Sequence, residues 1–333
     1  MNLGTKTLAI PKTQLKVFIL IVFSWVNLSQ NQYFAQAKDT QVKPAQIKFT
    51  KFQMSKLHCQ NAKDIFPVSR WQSLLDQIID SNGQLDYPRL QSAPLSEQFQ
   101  ALVHDIYQTK VDIHASACSQ LAFWLNAYNA LTIKQVLAYP NLESVATAVK
   151  DAPRYAFFKQ KQHPLTQEFI HDQLLSLDDI EHRLIRARFA EPRIHFALNC
   201  ASQSCPPLSR QAFFANDLVQ QLEQVTKNFI NHPKYNRFTD RTWSVSKIFS
   251  WYKEDFIIHQ RLSVTGHQKE ITTSDQALKS YIEQYLDNKT LKAQARPISP
   301  SPQKPKELST RAITIEFLNY DWSLNGKRPK SLN

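Results

Sequence analysis

The sequence predicts a single α+β domain in which a central buried helix packs against a small sheet, with a mostly helical periphery. Three observations carry this reading. Apolar residues recur at helical spacing in several separate segments; one of these, 119–139, is apolar around its whole circumference; and alternating, β-like pieces are few and short, at 168–174, 193–199 and 313–318.

The elements follow in chain order. Lys6, Lys12 and Lys16 precede an apolar run, 17–26, too short to cross a bilayer, and Ala35-Gln36-Ala37 offers small residues at cleavage spacing. Residues 1–37 therefore read as a secretory signal peptide, the alternative being a retained N-terminal anchor. Either way the remainder is exported, to the periplasm or the extracellular space, and contacts a membrane only through an uncleaved signal. Residues 38–50 form a polar leader and 51–325 the domain. Trp71, Leu74, Leu75, Ile78 and Ile79 place a helix over 68–80, ended by the turn Asn82-Gly83, and Phe99, Leu102, Val103 and Ile106 place a second over 95–109. The central helix follows, 119–139, stopped by Pro140.

A short strand is expected over 168–174. Ser176 with Asp179 then forms a capping box for a helix running to about residue 189. The alternation at 193–199 predicts a strand leading into Cys200-Ala-Ser-Gln-Ser-Cys205-Pro206-Pro207, where the double proline ends regular structure. Helices are expected over 209–230, 246–257 and 274–286 and a last strand over 313–318. Pro297, Pro300, Pro302 and Pro305 mark 293–309 as a Pro-rich insertion, and 326–333 reads as a basic tail. No internal repeat and no second hydrophobic core separated by a linker is evident, so one domain is expected.

Composition excludes several functions. The 333 residues hold only four glycines, Gly4, Gly83, Gly266 and Gly326, each isolated. Phosphate-cradling loops, dinucleotide fingerprints and the serine elbow of α/β-hydrolases all need clustered glycine, so no nucleotide cofactor is expected. The 40 Lys plus Arg outnumber the 28 Asp plus Glu, but they are scattered among the acids, without zinc-finger spacing or a base-stacking aromatic motif. A solvated surface accounts for them, and nucleic acid is not an expected partner. Glu181-His182 and His171-Asp172 are adjacent pairs lacking the i, i+4 face of a zinc-binding helix, so no metal site is expected.

The chemistry gathers between 193 and 208. Arg193-Ile-His195-Phe-Ala-Leu-Asn199-Cys200-Ala-Ser-Gln-Ser-Cys205-Pro-Pro-Leu208 resembles the signature of the family named domain of unknown function 547. Four further segments resemble the same family: Phe123-Trp-Leu-Asn126-Ala-Tyr-Asn129-Ala-Leu, Ser176-Leu-Asp-Asp-Ile-Glu181-His182, Ser246-Lys-Ile-Phe249-Ser-Trp251-Tyr-Lys253-Glu-Asp255-Phe and Tyr320-Asp321-Trp322-Ser-Leu. The resemblance spans 120–325 and implies no particular activity. In plant relatives the second cysteine of the signature is commonly Ser, which implies that the motif is not a disulfide throughout and singles out Cys200.

A nucleophilic thiol needs partial exposure, a base or positive field, and donors for an oxyanion. Cys200, at the start of a Ser- and Pro-bounded loop, is the candidate. In an unbroken strand His195 would face away from it, five residues being an odd separation, so His182 is the better base, with Glu181 or Asp178 to orient it. Asn126 and Asn129, at i, i+3 on the central helix, either position the base and donate to an oxyanion or satisfy backbone groups of a loop they touch. His195, inside an apolar strand, reads as a hydrogen-bonded core histidine ahead of a catalyst.

The competing expectation is a disulfide framework. The four cysteines, Cys59, Cys118, Cys200 and Cys205, permit three pairings in an oxidising compartment, and Cys200–Cys205 with Cys59–Cys118 is the expected one. Two functions remain. One is a thiol-dependent hydrolase or acyl transferase using Cys200. The other is a non-catalytic binding module whose recognition loop is stapled from Cys200 to Cys205. Either would take a small-molecule or peptide ligand. Trp251, Tyr252 and Phe256 are read as core, Lys253, Glu254 and Asp255 as a solvated face, and Tyr320-Asp321-Trp322 as a cleft wall or strand-end anchor.

Overall fold

The computed structural model describes residues 59–80, 83–153, 155–165, 174–263, 273–288, 290 and 313–331. The signal segment, the leader, the Pro-rich stretch 293–309 and the pair His171-Asp172 lie outside the described residues.

Helix α1, Val68–Ile78, buries the apolar stripe that its spacing predicts. Strand β1, Leu85–Asp86, leads into the short α2, Tyr87–Leu90, whose cap is the Asp86 carboxylate accepting from the Arg89 N–H. Helix α3, Leu95–Gln108, packs on α1 and against α4, Ala117–Leu137. Ser116 caps α4 by accepting from the Ser119 N–H, and nearly every one of its 21 residues is buried, as the all-round apolar pattern requires. Several of its polar side chains are satisfied internally: Gln120 donates to the carbonyls of Ile113 and Ala115, and Thr132 to that of Tyr128.

The chain then makes α5, Ala156–Lys159, and an antiparallel pair of two-residue strands, β2, His163–Pro164, and β3, Leu174–Leu175. Only the end of the strand expected over 168–174 is therefore described. The capping box forms as expected, Ser176 accepting from the Asp179 N–H while the Asp179 carboxylate accepts from Ser176. It starts α6, Leu177–Asp179, which widens into a π-helical turn, Ile180–Arg186, closed by an Ala187 N–H to His182 carbonyl bond. Both pack on α4.

Two expectations are corrected here. Residues 193–199 do not form a strand: Pro192 occupies the first turn and Glu191 caps the Arg193 N–H, so 192–196 wind into a 3-10 helix. The helix expected over 209–230 begins only at Leu218, as α7, Leu218–Ile230. Side-chain amides and carboxylates take the backbone groups that a helix would use: Gln72 accepts from the Ala212 N–H, Asn126 from Phe213, Gln221 from Phe214 and Asp64 from Ala215.

Strands β4, Arg237–Phe238, and β5, Thr242–Val245, form an antiparallel hairpin. Helices α8, Ile248–Trp251, α9, Lys253–Ser263, and α10, Ser274–Glu283, follow, with α9 and α10 packed together. Strand β6, Thr314–Phe317, adds in parallel to β5, so the largest sheet has the order β4-β5-β6. Finally β7, Gly326–Lys327, pairs in parallel with β1. Gly326 is required there, because a Cβ would run into the Leu85 carbonyl oxygen. Segment 326–331 is thus part of the domain and no free basic tail: Gln91 donates to the Lys330 carbonyl and Asn141 N–H to that of Pro329.

The fold is α+β and mostly helical, and its interior holds two adjoining hydrophobic clusters. The larger surrounds α4; the smaller is aromatic and built from Phe196, Phe229, Trp243, Phe249, Phe256 and Tyr281. Phe196 lies in the second and its neighbour Ala197 in the first, so the 192–198 turn straddles the seam. Among the described residues no helix is long and apolar enough to cross a membrane.

Cys59 and Cys118 are disulfide-bonded, tying the segment before α1 to the start of α4 across 59 residues. Closing a loop of that length stabilises by about 4 kcal/mol through the unfolded chain. The double variant Cys59→Ser/Cys118→Ser should lose stability of that order in urea unfolding; an unchanged midpoint would contradict the role assigned to this bridge.

Candidate functional site

At the seam lies a cavity of about 350 Å³. Its floor is Tyr128 from α4, and one side is the α6 and π-helical segment, which presents Asp178, Glu181, His182 and Arg186. His195, Cys200 and Cys205 also line it, together with the aromatic residues Tyr155, Trp251, Tyr252, Tyr320 and Trp322.

Cys200 is half-buried and carries a free thiol. Its sulfur is 3.1 Å from Ser202 Oγ and 3.1 Å from the Tyr320 hydroxyl, and those two oxygens are 2.8 Å apart. With the thiol protonated the three groups can close a ring of donors. Loss of the proton leaves two O–H donors for the sulfur, Tyr320 acting directly or through Ser202. Burial opposes ionisation of Cys200, but hydrogen bonds from Cys205, Ser202 and Tyr320 outweigh it and hold the thiol below its ordinary value. Burial, and the neighbouring Cys200, push the Tyr320 phenol well up, so it stays a donor.

The loop is fixed by amides. Asn129 donates to the Ala197 carbonyl at 3.0 Å and accepts from the Asn199 N–H at 2.8 Å; Asn126 does the same for the Phe213 carbonyl and N–H, at 2.8 and 3.0 Å. Of the two roles considered for these side chains, the structure places them in loop anchoring. Asn199 continues the chain, donating to the Pro206 carbonyl and accepting from the Ala201 N–H and from Asn325. Ala201 takes a positive φ of 61°, which turns the loop toward 320–325. There Gln203 and Ser204 N–H donate to the carbonyls of Ser323 and Asp321.

The expected bridge between Cys200 and Cys205 is not formed. Cys205 is buried and its sulfur instead accepts from the Cys200 N–H at 2.7 Å and lies 3.5 Å from the Leu198 carbonyl. The stapled-loop arrangement therefore does not describe this structure.

His195, turned by the 3-10 helix and no longer constrained by strand alternation, shares the cavity with Cys200. Its Nε2 is 2.8 Å from Asp255 Oδ2, its ring stacks on Tyr252 at 3.8 Å, and Arg186 Nε donates to the same carboxylate oxygen at 2.8 Å. Burial lowers the His195 pKa despite Asp255, favouring the neutral ring with the proton on Nε2 and the basic lone pair on Nδ1. Burial would raise Asp255, yet the hydrogen bonds from His195 and Arg186 hold it far below the ordinary carboxylate range. His182, the base favoured by its sequence position, also lines the cavity, but Arg186 meets its Nδ1 at 2.9 Å and Asp178 lies 3.5 Å from its Nε2. Glu181 Oε1 is 4.0 Å from His182 Nδ1.

Sequence reasoning missed Asp255, Ser202 and Arg186, and took Trp251 and Tyr252 for core, although Trp251 is 39% exposed. Asp255 sat in a run of charges that looked solvated; only its partner His195, 60 residues earlier, marks it. Among the described residues no three or more His, Cys, Asp or Glu side chains are grouped to hold a metal ion.

The fold and site define an α+β protein with a thiol-bearing cleft between two hydrophobic clusters. Residues 114–230 match the model of the family described as Protein of unknown function, DUF547. The match covers α4, the Ser176 cap and the Cys200 loop, while Asp255 and Tyr320 lie beyond it. No curated protein and no solved structure matches the chain.

Two predictions follow from this geometry. Asn129→Ala leaves the Ala197 carbonyl and Asn199 N–H buried without a partner, so urea unfolding should show a loss of about 1–3 kcal/mol for each group; a loss below that of one such group would contradict the anchoring role. Asp255 has a folded pKa below its ordinary 3.8, so its contribution is complete above that pH and is lost as pH falls through the folded pKa. Asp255→Asn should therefore be less stable than the parent at pH 7, and the gap should narrow as the pH falls below about 4. A gap that stays constant down to pH 2.5 would show that the ion pair does not carry it.

Proposed function

We propose that this is an exported thiol-dependent enzyme, a hydrolase or acyl transferase in which Cys200 is the nucleophile. The observation that carries the reading is an unbridged, half-buried sulfur with two hydroxyls at 3.1 Å, on the wall of a cavity that also holds a histidine paired with a half-buried carboxylate. Export is supported by the Cys59–Cys118 disulfide, which suits an oxidising compartment, together with the N-terminal segment.

In the proposed reaction the Cys200 thiolate attacks an acyl carbonyl, the C–S bond forms, and the leaving group departs with a proton. His195 is the proton carrier within the cavity. Its Nδ1 takes the thiol proton and returns it to the leaving group, while Asp255 fixes the tautomer and supports the imidazolium. Water or a second nucleophile then releases the acyl group from sulfur. A volume of about 350 Å³ suits a small acyl compound or one peptide side chain, near the lower end of the range for ligand pockets. The aromatic lining supplies apolar contact and excludes water from the thioester.

The test has two arms. Iodoacetamide should alkylate Cys200 in the native protein with a pH midpoint below that of an ordinary cysteine. Cys200→Ser should abolish this labelling, and Tyr320→Phe should move the midpoint upward. p-Nitrophenyl acetate should add the mass of one acetyl group at Cys200 and nowhere else. A native protein that resists alkylation, or alkylates only at the pH of an ordinary thiol, would overturn the proposal.

A further inference from the structure

The second sulfur forms no covalent bond in the proposed acyl transfer, yet its placement is specific. Cys205 is 4% exposed and sits beside Cys200 with its sulfur 2.7 Å from the Cys200 nitrogen. Both residues line the cavity, but Cys200 is half-buried and Cys205 is buried, so Cys200 is the more accessible of the two. The loop between them is pinned at its far side to 321–325, so the two sulfurs are kept together and not left to chance encounter. Burial and the adjacent Cys200 raise the Cys205 thiol well above its ordinary value, whereas Cys200 is lowered, which separates an attacking sulfur from a reserve thiol.

We propose that Cys200 is a site of oxidation by hydroperoxides and that Cys205 resolves the product into a reversible Cys200–Cys205 disulfide. The Cys200 thiolate attacks one oxygen of the hydroperoxide; an S–O bond forms, the O–O bond breaks, and the other oxygen leaves as an alcohol, or as water from hydrogen peroxide, after taking up a proton. Sulfur is oxidised to the sulfenic acid and the peroxide is reduced. The Cys205 sulfur then attacks the sulfenyl sulfur; the S–S bond forms, the S–O bond breaks, and hydroxide leaves with the Cys205 proton as water. Forming the bridge draws Cys200 away from Ser202 and Tyr320, so the oxidised protein loses the donors that favour its thiolate. The inference uses the same reactive sulfur as the function proposed above but requires no acyl chemistry.

The experiment treats the reduced full-length protein with hydrogen peroxide, blocks remaining thiols with iodoacetamide under denaturing conditions, and maps the peptides by mass. The expected result is a Cys200–Cys205 peptide lighter by two hydrogens and unalkylated, restored to two alkylated cysteines by dithiothreitol. Cys205→Ser, and Cys205→Ala as a second variant in case the first does not fold, should instead hold a sulfenic acid at Cys200 that dimedone traps. Uptake of oxygen at Cys200 with Cys205 still alkylatable in the wild type would overturn the proposal, as would two free thiols after treatment. Acetylation of Cys200 by p-nitrophenyl acetate, measured on the same reduced sample, reports on the acyl-transfer reading independently, so failure of one is distinguishable from failure of the other.

Discussion

The site depends on two carboxamides buried in the wall of the central helix. Asn129 and Asn126 each donate to one carbonyl and accept from one N–H of the chain that passes over them. An asparagine offers one acceptor oxygen and donors on the same planar group, so it can replace a peptide neighbour for a segment that has left regular structure. Because the helix itself is buried on nearly every face, these anchors are held by the main core, and the positions of Cys200 and of the loop at 213 follow from them. A leucine at either position would fill space but would leave paired backbone groups unsatisfied.

From that constraint the cleft follows. The loop is anchored to α4 at Ala197, crosses the seam between the two hydrophobic clusters and meets the chain at 320–325, which brings Tyr320 to the Cys200 sulfur. The π-helical turn beside it gives Glu181, His182 and Arg186 a common side, and π turns of this kind recur at functional sites because the added residue re-aims the side chains after it. Arg186 then serves two partners, Asp255 and His182, and stacks over the Tyr252 ring at 4.9 Å. The electrostatics are thus shared: one guanidinium and one imidazole hold a single carboxylate, and the carboxylate in turn fixes the imidazole.

What could be seen in the sequence was whatever depends on local pattern. The stripes of α1 and α3, the all-round apolar character of α4, the Ser176–Asp179 box and the strand at 314–317 follow from spacing and capping chemistry, and the structure contains them. Residues 193–199 alternate like a strand, but Pro192 and the Glu191 cap impose a 3-10 turn, and periodicity alone does not weigh one proline against an alternation. The stretch before α7 looked helical because the groups that unmake it, Gln72, Asn126 and Asp64, come from far along the chain. Asp255 was hidden for the same reason, gaining its meaning from a partner 60 residues away; Tyr320 was legible as a cleft wall, but not its contact with Cys200, 120 residues earlier. Cys200, His195, His182 and Glu181 were legible as chemistry-bearing types, and they do share one cavity; their division of roles was not.

The central claim is that the Cys200 sulfur is an unbridged thiol whose ionisation is favoured by its neighbours. Nuclear magnetic resonance of protein carrying ¹³C at the cysteine Cβ atoms tests it directly, since the shift distinguishes thiol, thiolate and disulfide at each residue. The Cys200 signal is predicted to titrate below the range of an ordinary cysteine while the Cys205 signal stays in its thiol form through neutral pH. Paired disulfide shifts for both residues in freshly reduced protein, or a Cys200 signal that titrates no earlier than that of an ordinary cysteine, would contradict the account.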